Sequence, residues 1–239
     1  MDDFIILGLD GASEQLRKLL SSEPIPGLWG EKIGDDVLWN GAHAQLETGF
    51  PRKFVDLKHY DTESRLKRIV AGYAALPRPP ALLTISGELN DTDAYKGLAS
   101  VRGNVGLILT GPLSNWDDEF CLDKFNFTAG AWMDHVLTLA FESDMQGVTC
   151  PAWLLDDTDI KQVLEEVRKE EEFIVIATGI RSEGVPPGNH KHPRTPAFAI
   201  KHGATFVVVE SEVTGLPGRG PLTQLQRIYE PFTQLAFAL

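Results

Sequence analysis

Short apolar segments rich in β-branched residues alternate with longer segments of helical periodicity along a chain of 239 residues. Several of the short segments, such as FIIL and FVVV, are continuously apolar rather than alternating. Continuously apolar strands are typical of parallel sheets that helices cover on both faces. The pattern predicts eight strands, at residues 4–9, 28–33, 53–57, 81–85, 105–109, 147–150, 173–177 and 205–209.

The segments between the predicted strands have the period of amphipathic helices. We expect helices at 63–76, 129–142 and 158–171, and a closing helical segment at 222–239. Eight strand–helix units favour a (β/α)8 TIM barrel, which typically needs about 250 residues. An open, doubly wound sheet is the alternative. No break in composition divides the chain, so we predict an α/β protein with a single (β/α)8 barrel domain over residues 1–239.

The charge balance and the cysteine content limit the class of protein. The chain has 34 acidic and 22 basic residues, and this net charge of −12 argues against nucleic acid or an anionic membrane as the main partner. Cys121 and Cys150 lack the spacing of a zinc site, and the acidic start of the chain lacks a secretion signal. We therefore expect a cytoplasmic protein, in which a local basic pocket is still compatible with an anionic small molecule.

Catalytic groups of a barrel lie on the loops that follow the carboxyl ends of the strands. Charged or hydroxyl side chains lie at or just after the ends of several predicted strands, namely Asp10, Lys32, Asp56, Lys58, Asp61, Arg181 and Ser211. After the seventh strand, residues 182–194 (SEGVPPGNHKHPR) are rich in proline and glycine and are long for such a loop. This composition predicts a mobile lid over the site.

The segment FVDLKHYDT has the densest set of charges at a strand end. Because side chains alternate along a strand, Asp56 and Lys58 share the face toward the barrel mouth, and Lys32 ends the preceding strand. Carboxylates and ammonium groups then alternate, and each is kept charged by its opposite neighbours. A salt-bridge network with a purely structural role is the alternative, although so many charges at one strand end are costly for stability alone.

The DxKxxD motif formed by Asp56, Lys58 and Asp61 resembles that of the orotidine 5′-monophosphate decarboxylase family. Other stretches resemble parts of that family in the same order: ILGLDGAS the first strand, WGEKIGDD the second, GVTCPAW the sixth, ATGIR the seventh, and HPRTPAFAIKHGATFVVV the lid exit, helix and eighth strand. The resemblance implies a carbon–carbon lyase that converts orotidine 5′-monophosphate to uridine 5′-monophosphate and CO₂. It also implies that this reaction, the last step of de novo pyrimidine nucleotide synthesis, uses no cofactor and no metal.

The resemblance also implies roles for individual residues. The lysine that matches Lys58 protonates the carbanion left at the pyrimidine C6, and the aspartate that matches Asp56 lies against the departing carboxylate. Lys32 would bridge this aspartate and the ribose, and Asp10 would bind a ribose hydroxyl.

A further implication concerns the quaternary structure. Asp61, with Thr62 close by, would reach into the site of the neighbouring subunit. The resemblance therefore implies an obligate homodimer with shared active sites, whereas no surface pattern in the sequence predicts one.

Two departures from the family pattern concern the substrate phosphate. The Gly-Arg-Pro that commonly follows the eighth strand is replaced by Glu210-Ser211-Glu212, and the lid lacks the usual glutamine. Carboxylates beside a dianion are unfavourable unless they turn away. We expect other groups to bind the phosphate, including backbone N–H groups at the end of the seventh strand. The candidates are Gly179, Ile180, Arg181, His190, Lys191, His192, Arg194 and Ser211.

The residue that contacts the pyrimidine is open between two candidates. The stretch LILTGPLSN lies where the family has a serine in this role, and both Thr110 and Ser114 fit. His190 and His192, with His202 as a third, are a weaker hypothesis for a metal site, because no acidic residue has matching spacing.

Two other functions are alternatives to the decarboxylase. One is a metal-dependent sugar-phosphate decarboxylase or synthase of the same superfamily, which would use Mg²⁺ and an acidic ligand on the second strand. Glu31 is adjacent to Lys32, but the period of two directs its side chain away from the pocket. The other alternative is a non-catalytic barrel that binds a different ligand.

Overall fold

Eight parallel strands form a closed barrel in the computed structural model of the protein, with the strands in chain order and β8 paired with β1. The strands are β1 (Ile5–Gly8), β2 (Leu28–Ile33), β3 (Lys53–His59), β4 (Leu82–Ser86), β5 (Gly106–Thr110), β6 (Gly147–Pro151), β7 (Ile174–Thr178) and β8 (Phe206–Val209). The predicted (β/α)8 fold is confirmed, and the open doubly wound sheet is excluded. Each predicted strand agrees with the structure to within two residues at either end.

The structure describes residues 3–10, 12–22, 24–34, 41, 46–47, 49–89, 91–170 and 172–214, and the single positions 221, 223, 225, 226, 228 and 229. The α-helices with both ends among the described residues are α1 (Glu14–Ser21), α2 (Glu63–Ala74), α3 (Thr92–Ala99), α4 (Asp118–Phe125), α5 (Ala129–Glu142), α6 (Thr158–Glu170), α7 (Pro196–Lys201) and α8 (Ser211–Thr214). The three internal helices predicted from periodicity correspond to α2, α5 and α6. Most of the closing helix predicted at 222–239 lies outside the described residues.

The apolar side chains form two layers because successive residues of a strand point to opposite faces. A small inner cluster fills the barrel, and its buried members are Ile6, Phe54, Leu82, Ile108, Ile176 and Phe206. A larger outer cluster, which includes Val55, lies between the strands and the helices. Burial on both faces explains why the strands are continuously apolar. No helix among the described residues has the length and apolarity that a membrane span requires.

Candidate active site

A cavity of about 470 Å³ opens at the carboxyl ends of the strands, as expected for a barrel enzyme. Eight of the candidate residues named from the sequence line it: Lys32, Asp56, Lys58, Ser114, Gly179, Arg181, His190 and Ser211. A second cavity of about 210 Å³ adjoins it and includes Thr110, Tyr60 and Trp132 in its lining. Lys58 lines both cavities, so its side chain lies at the boundary between them.

The predicted array of alternating charges is present at the barrel mouth. The Lys32 ammonium group forms an ion pair with the Asp10 carboxylate, and its Nζ lies 3.9 Å from Oδ2 of Asp56. On the far side of Asp56, Oδ1 lies 3.0 Å from Nζ of Lys58. The side chains of Lys32 and Asp56 are only 10% and 11% exposed. The four groups therefore form one continuous chain in the order Asp10, Lys32, Asp56, Lys58.

Carboxylates hold Lys32 in its charged form. Burial by itself lowers the pKa of Lys32, but the Asp56, Asp10 and Glu210 carboxylates outweigh that effect and raise the pKa above its ordinary value. Lys32 is therefore a fixed positive charge in the neutral pH range. Such a charge holds the Asp56 carboxylate in place but is a poor source of protons.

Lys58 has an uncommon backbone conformation within β3. Its φ angle is 48°, in the left-handed region, and the register between β3 and β4 shifts between Val55 and His59. The other two non-glycine residues with positive φ in the described part of the chain are Asn126 and Asp144, residue types that adopt this region readily. Such a conformation costs about 1–3 kcal/mol and is concentrated at functional sites. The structure therefore stores backbone strain at the lysine that the motif singles out.

The two glutamates after β8 have different surroundings. Glu212 is 2% exposed and turns away from the cavity, where its carboxylate accepts hydrogen bonds from the N–H and the hydroxyl of Ser182, at 2.8 and 3.2 Å. Glu210 lines the cavity, and its Oε2 lies 3.7 Å from Nζ of Lys32. The side chain of Glu210 lies over Gly8, where an added Cβ would come within 2.9 Å of it. Only one of the two carboxylates is therefore withdrawn from the site.

Arg181 lines the main cavity between the ends of β7 and β8. Its Nη2 donates to Oγ of Ser211 at 2.9 Å, and its Nη1 donates to the carbonyl oxygen of Ile180 at 2.8 Å. Burial lowers the pKa of Arg181, which Glu212 and Glu210 oppose, but a guanidinium group stays charged at neutral pH. Arg194 is placed differently, because its guanidinium lies 5.3 Å from the centre of the Phe198 ring.

Gly179, Arg181, Ser211 and His190 line the main cavity, whereas Ile180, Lys191, His192 and Arg194 do not. Gly179 has a φ of 71°, which favours glycine at this turn after β7. The structure therefore brings four of the eight phosphate candidates, Gly179, Arg181, His190 and Ser211, to the main cavity.

Three residues of the predicted lid segment, Gly188, Asn189 and His190, line the main cavity. The N–H of Lys191 donates to the carbonyl oxygen of Ser114 at 3.1 Å, and Nζ of Lys191 lies 3.0 Å from Oδ2 of Asp117. His190 reaches the Ser114 hydroxyl, and His192 packs edge-on against Trp153 with ring centres 5.1 Å apart. Among the described residues, no group of three potential ligands could hold a metal ion. His190 and His192 thus contact Ser114 and Trp153 and do not form a cluster of metal ligands among the described residues.

Asp61 and Thr62 line neither of these two cavities. Asp61 accepts a hydrogen bond from the N–H of Thr62 at 2.8 Å, and its other oxygen lies 3.1 Å from Nε of Arg65. Thr110, the candidate for base recognition, has a buried hydroxyl without a hydrogen-bond partner beside the smaller cavity. Ser114, the other candidate, lines the main cavity.

Comparison with known proteins places this geometry in a family context. No protein-family model matches the chain. The orotidine 5′-phosphate decarboxylase of Actinobacillus succinogenes is 28% identical over 225 residues, which cover 90% of this chain and 92% of that protein. The decarboxylase of the same name from Haemophilus ducreyi is also 28% identical, over 239 residues that cover 95% of this chain and 98% of that protein. The chain is a homologue of the orotidine 5′-phosphate decarboxylases.

The structural comparison shows the same fold. The solved orotidine 5′-phosphate decarboxylase of Pyrococcus horikoshii OT3 matches with a TM-score of 0.70 at 18% identity, over 96% of this chain and 99% of that chain. The resemblance to the orotidine 5′-phosphate decarboxylases that the DxKxxD motif indicated is thus confirmed over nearly the whole chain.

Sequence reasoning left the direction of one side chain of this decarboxylase homologue open and missed another residue. The direction of Glu210 was open, and the structure places its side chain in the cavity lining beside Lys32. Thr84, in β4, contacts the backbone of Lys58 and was not considered. A hydroxyl between the apolar residues Leu83 and Ile85 of β4 was the available signal for Thr84. Its partner could not be identified, because that depends on the register of β3 against β4.

Proposed function

We propose that this chain decarboxylates orotidine 5′-monophosphate to uridine 5′-monophosphate and CO₂, as a carbon–carbon lyase of pyrimidine nucleotide synthesis. The observation that carries the proposal is the ion pair of 3.0 Å between Lys58 and Asp56 in the rim of a closed barrel. The homologues named orotidine 5′-phosphate decarboxylase support the same reaction. Lys32, Asp56 and Lys58 are the proposed catalytic groups of this subunit.

Lys58 performs the proton transfer in this proposal. The bond between C6 and the carboxylate breaks, CO₂ leaves, and the electron pair stays on C6. The Lys58 ammonium group then donates a proton to C6 and is reprotonated from solvent. Before that transfer, its positive charge stabilises the developing carbanion, and a charge already in place costs no reorganisation during the reaction.

Asp56 makes a smaller contribution by repelling the substrate carboxylate. Two like charges about 4 Å apart interact by roughly 4 kcal/mol at an effective dielectric constant near 20. Complete relief of that repulsion would accelerate the reaction by about three powers of ten. Loss of CO₂ leaves a poorly stabilised vinyl carbanion, so the larger part of the acceleration is assigned to Lys58 in a site closed to water.

Lys32 and Asp10 orient the ribose in this proposal. The Asp10 carboxylate is held from two sides, by the Lys32 ammonium group and by the N–H of Gly34 at 2.6 Å from Oδ1. Asp10 does not itself line the main cavity, but its side chain is 22% exposed, and its carboxylate has further lone pairs that can accept a hydrogen bond from a ribose hydroxyl. Lys32 links that contact to Asp56, so the position of the sugar is coupled to the position of the catalytic aspartate.

Arg181, Ser211 and Gly179 bind the phosphate in this proposal. They lie together at the ends of β7 and β8, and the guanidinium of Arg181 is already bonded to the Ser211 hydroxyl. Ile180 and Arg194, which were predicted with them, belong to this group only if the segment 182–194 rearranges on binding. Thr110 and Ser114 are the proposed contacts to the pyrimidine, and closure of the lid over them excludes water.

The proposal includes a cytoplasmic homodimer with shared active sites. Asp61, the last residue of the DxKxxD motif, lines neither of the two cavities described above, and Tyr60 beside it is 63% exposed. A second subunit across a two-fold axis would receive Asp61 and Thr62 in its own site. The acidic surface charge and the absence of a zinc or disulfide spacing support a cytoplasmic setting.

A spectrophotometric assay for loss of orotidine 5′-monophosphate tests the proposal, with Lys58→Ala as the matched variant. We expect turnover by the wild-type protein and a decrease of at least about a thousandfold in Lys58→Ala. A wild-type rate no higher than that of the variant would reject the decarboxylase. Full activity in EDTA is expected, whereas loss of activity in EDTA would favour the metal-dependent branch of the superfamily.

One observation favours a second candidate function, a barrel that binds a nucleotide without turnover. Glu210 places a carboxylate in the cavity where the family pattern has a glycine. Binding of uridine 5′-monophosphate to the folded protein would raise its Tm by mass action with either function. Stabilisation without turnover of orotidine 5′-monophosphate would therefore identify the second candidate.

A further inference from the structure

Thr84 lies in β4 opposite the irregular end of β3, and its side chain is fully buried. Val55 pairs with Leu83 and His59 pairs with Ile85, so the chain takes four steps along β3 for two steps along β4. Thr84 is the one residue of β4 between those two pairs. It therefore faces the bulged residues 56–58, which include the charged pair Asp56 and Lys58.

The hydroxyl of Thr84 contacts the backbone of this bulge at two points. Its Oγ1 accepts a hydrogen bond from the N–H of Lys58 at 2.8 Å and donates to the carbonyl oxygen of Val55 at 3.4 Å. Buried backbone groups need partners, and a bulge removes the ladder partners that a regular strand has. The hydroxyl of Thr84 thus forms the hydrogen bonds to β3 that backbone groups form between regular strands of the sheet.

The first of these bonds is adjacent to the strained torsion angle. The N–H that Thr84 binds belongs to the N–Cα bond about which Lys58 has a φ of 48°. A long side chain keeps a left-handed backbone conformation only where its surroundings hold it. The direction of the Lys58 side chain, and with it the contact of 3.0 Å to Asp56, follows from that conformation.

We infer that Thr84 is a positioning residue for Lys58, which sets the location of the ammonium group through the backbone of the bulge. This inference rests on the proposed decarboxylation, in which the proton of Lys58 must reach one carbon atom. A displacement of about 1 Å at a reacting group can reduce the rate by about a hundredfold. Thr84 is buried and lines neither cavity, so its effect is expected on kcat rather than on substrate affinity.

The test compares Thr84→Val, which keeps the shape and removes the hydroxyl, with Thr84→Ser, which keeps the hydroxyl. We expect Thr84→Val to lower kcat at least tenfold, or about 1.4 kcal/mol in the barrier, with KM within about twofold of wild type. Thr84→Ser should keep kcat within about threefold of wild type. Thr205→Val is the matched control, because Oγ1 of Thr205 accepts from the N–H of Val175 at 3.1 Å at the opposite end of the barrel.

Several outcomes would overturn the inference. A Thr84→Val protein with wild-type kcat and only a lower Tm, or a Thr205→Val protein with the same loss of kcat, would make the role of Thr84 merely structural. A loss of kcat in folded Thr84→Ser equal to that in Thr84→Val would exclude the hydroxyl as the cause. If Thr84→Val does not fold, the kcat of Thr84→Ser decides: near wild type supports the inference, and a tenfold loss contradicts it.

Failure of the proposed function is recognised separately. A wild-type protein without turnover would reject the decarboxylase before any variant is compared. The crystal structure of Thr84→Val then tests the positioning role directly. A φ near 48° at Lys58 and an unchanged distance to Asp56 would overturn it, whereas relaxation of that angle with movement of the ammonium group would support it.

Discussion

Oγ of Ser114 lies 2.8 Å from Nδ1 of His190, and this hydrogen bond joins the loop after β5 to the segment 182–194. Burial, together with the positive charge of Arg181, lowers the pKa of His190 to about 4. The imidazole is therefore neutral at pH 7. The family usually has a glutamine in this segment, and the neutral imidazole of His190 provides a different polar group that can bond to the opposite loop.

Acid is expected to open the contact between the two loops. Because the pKa of His190 is lower in the closed structure than its ordinary value of 6.5, protonation favours the open form. The contribution of His190 is complete above about pH 6.5 and is lost as the pH falls toward about 4. The hydrogen-exchange protection factors of residues 182–194, which correct for the slower intrinsic exchange in acid, should fall several-fold over that range.

The neighbouring ion pair between Lys191 and Asp117 does not account for this pH dependence. The hydrogen bond from the N–H of Phe120 is the main cause of a lowered pKa at Asp117, and the bond from Lys191 is the next. This carboxylate therefore stays charged across the range in which His190 titrates. His190→Asn keeps a hydrogen-bonding group without the titration and should flatten the pH dependence. Identical pH profiles for the two proteins would exclude His190 as the titrating group.

Removal of the Glu210 charge is expected to strengthen phosphate binding. Glu210→Gln keeps the shape of the side chain beside Lys32 and removes a negative charge from the cavity. Because Glu210 lies at the partly exposed mouth of the cavity, removal of its charge should improve the free energy of substrate binding by about 0.5–1 kcal/mol. This corresponds to a decrease in KM of about two- to fivefold. Steady-state kinetics with orotidine 5′-monophosphate would measure the decrease.

Glu212→Gln is the comparison for that variant. The Glu212 carboxylate is buried against Ser182 and outside the cavity, so its neutralisation should lower Tm and leave KM nearly unchanged. An increase in KM for Glu210→Gln would show that the carboxylate of Glu210 binds the substrate instead of opposing its phosphate.

Truncation of Arg181 is expected to weaken substrate binding. A charge-assisted hydrogen bond to a phosphate contributes about 1.5–3 kcal/mol, so Arg181→Ala should raise KM by at least about tenfold. Arg194, which lies over Phe198, should give a smaller increase as Arg194→Ala. Arg102→Ala is the charge-matched control, since Arg102 bonds to the carbonyl oxygen of Val105 at the opposite end of the barrel. Unchanged KM values for both Arg181→Ala and Arg194→Ala would exclude them as phosphate ligands.

Shared active sites predict complementation between two inactive proteins. In a two-fold dimer, a Lys58→Ala subunit donates its intact Asp61 to the site of an Asp61→Ala subunit, whose Lys58 is intact. Mixed and reassociated subunits should recover up to about a quarter of the wild-type activity per site, because half of the dimers are mixed and each has one complete site. Activity of the mixture equal to the sum of the separate proteins would show that each site is built from one chain.

Much of the scaffold could be predicted from local sequence. The apolar runs located all eight strands, and the period of two placed Phe54 inside the barrel and Val55 outside it. The same period correctly directed Glu31 away from the cavity, where it forms ion pairs with Arg17 and Lys53. These features depend on neighbours along one strand, so the sequence contains the information directly.

The contacts between distant segments could not be predicted in the same way. Glu210 and Glu212 are two residues apart and chemically alike, yet one lies beside Lys32 and the other beside Ser182. Nothing local distinguishes them, because their directions depend on how the end of β8 packs against Gly8 and against the start of the segment 182–194.

The sequence by itself determined a parallel eight-stranded barrel with an acidic and basic motif at the end of its third strand. It did so because strand periodicity and apolar content act over a few residues. Only the tertiary structure decided that Lys32 lies between the carboxylates of Asp10 and Asp56, and that Thr84 binds the N–H of Lys58. Those contacts join residues from different strands, and closure of the barrel sets the register that brings them together.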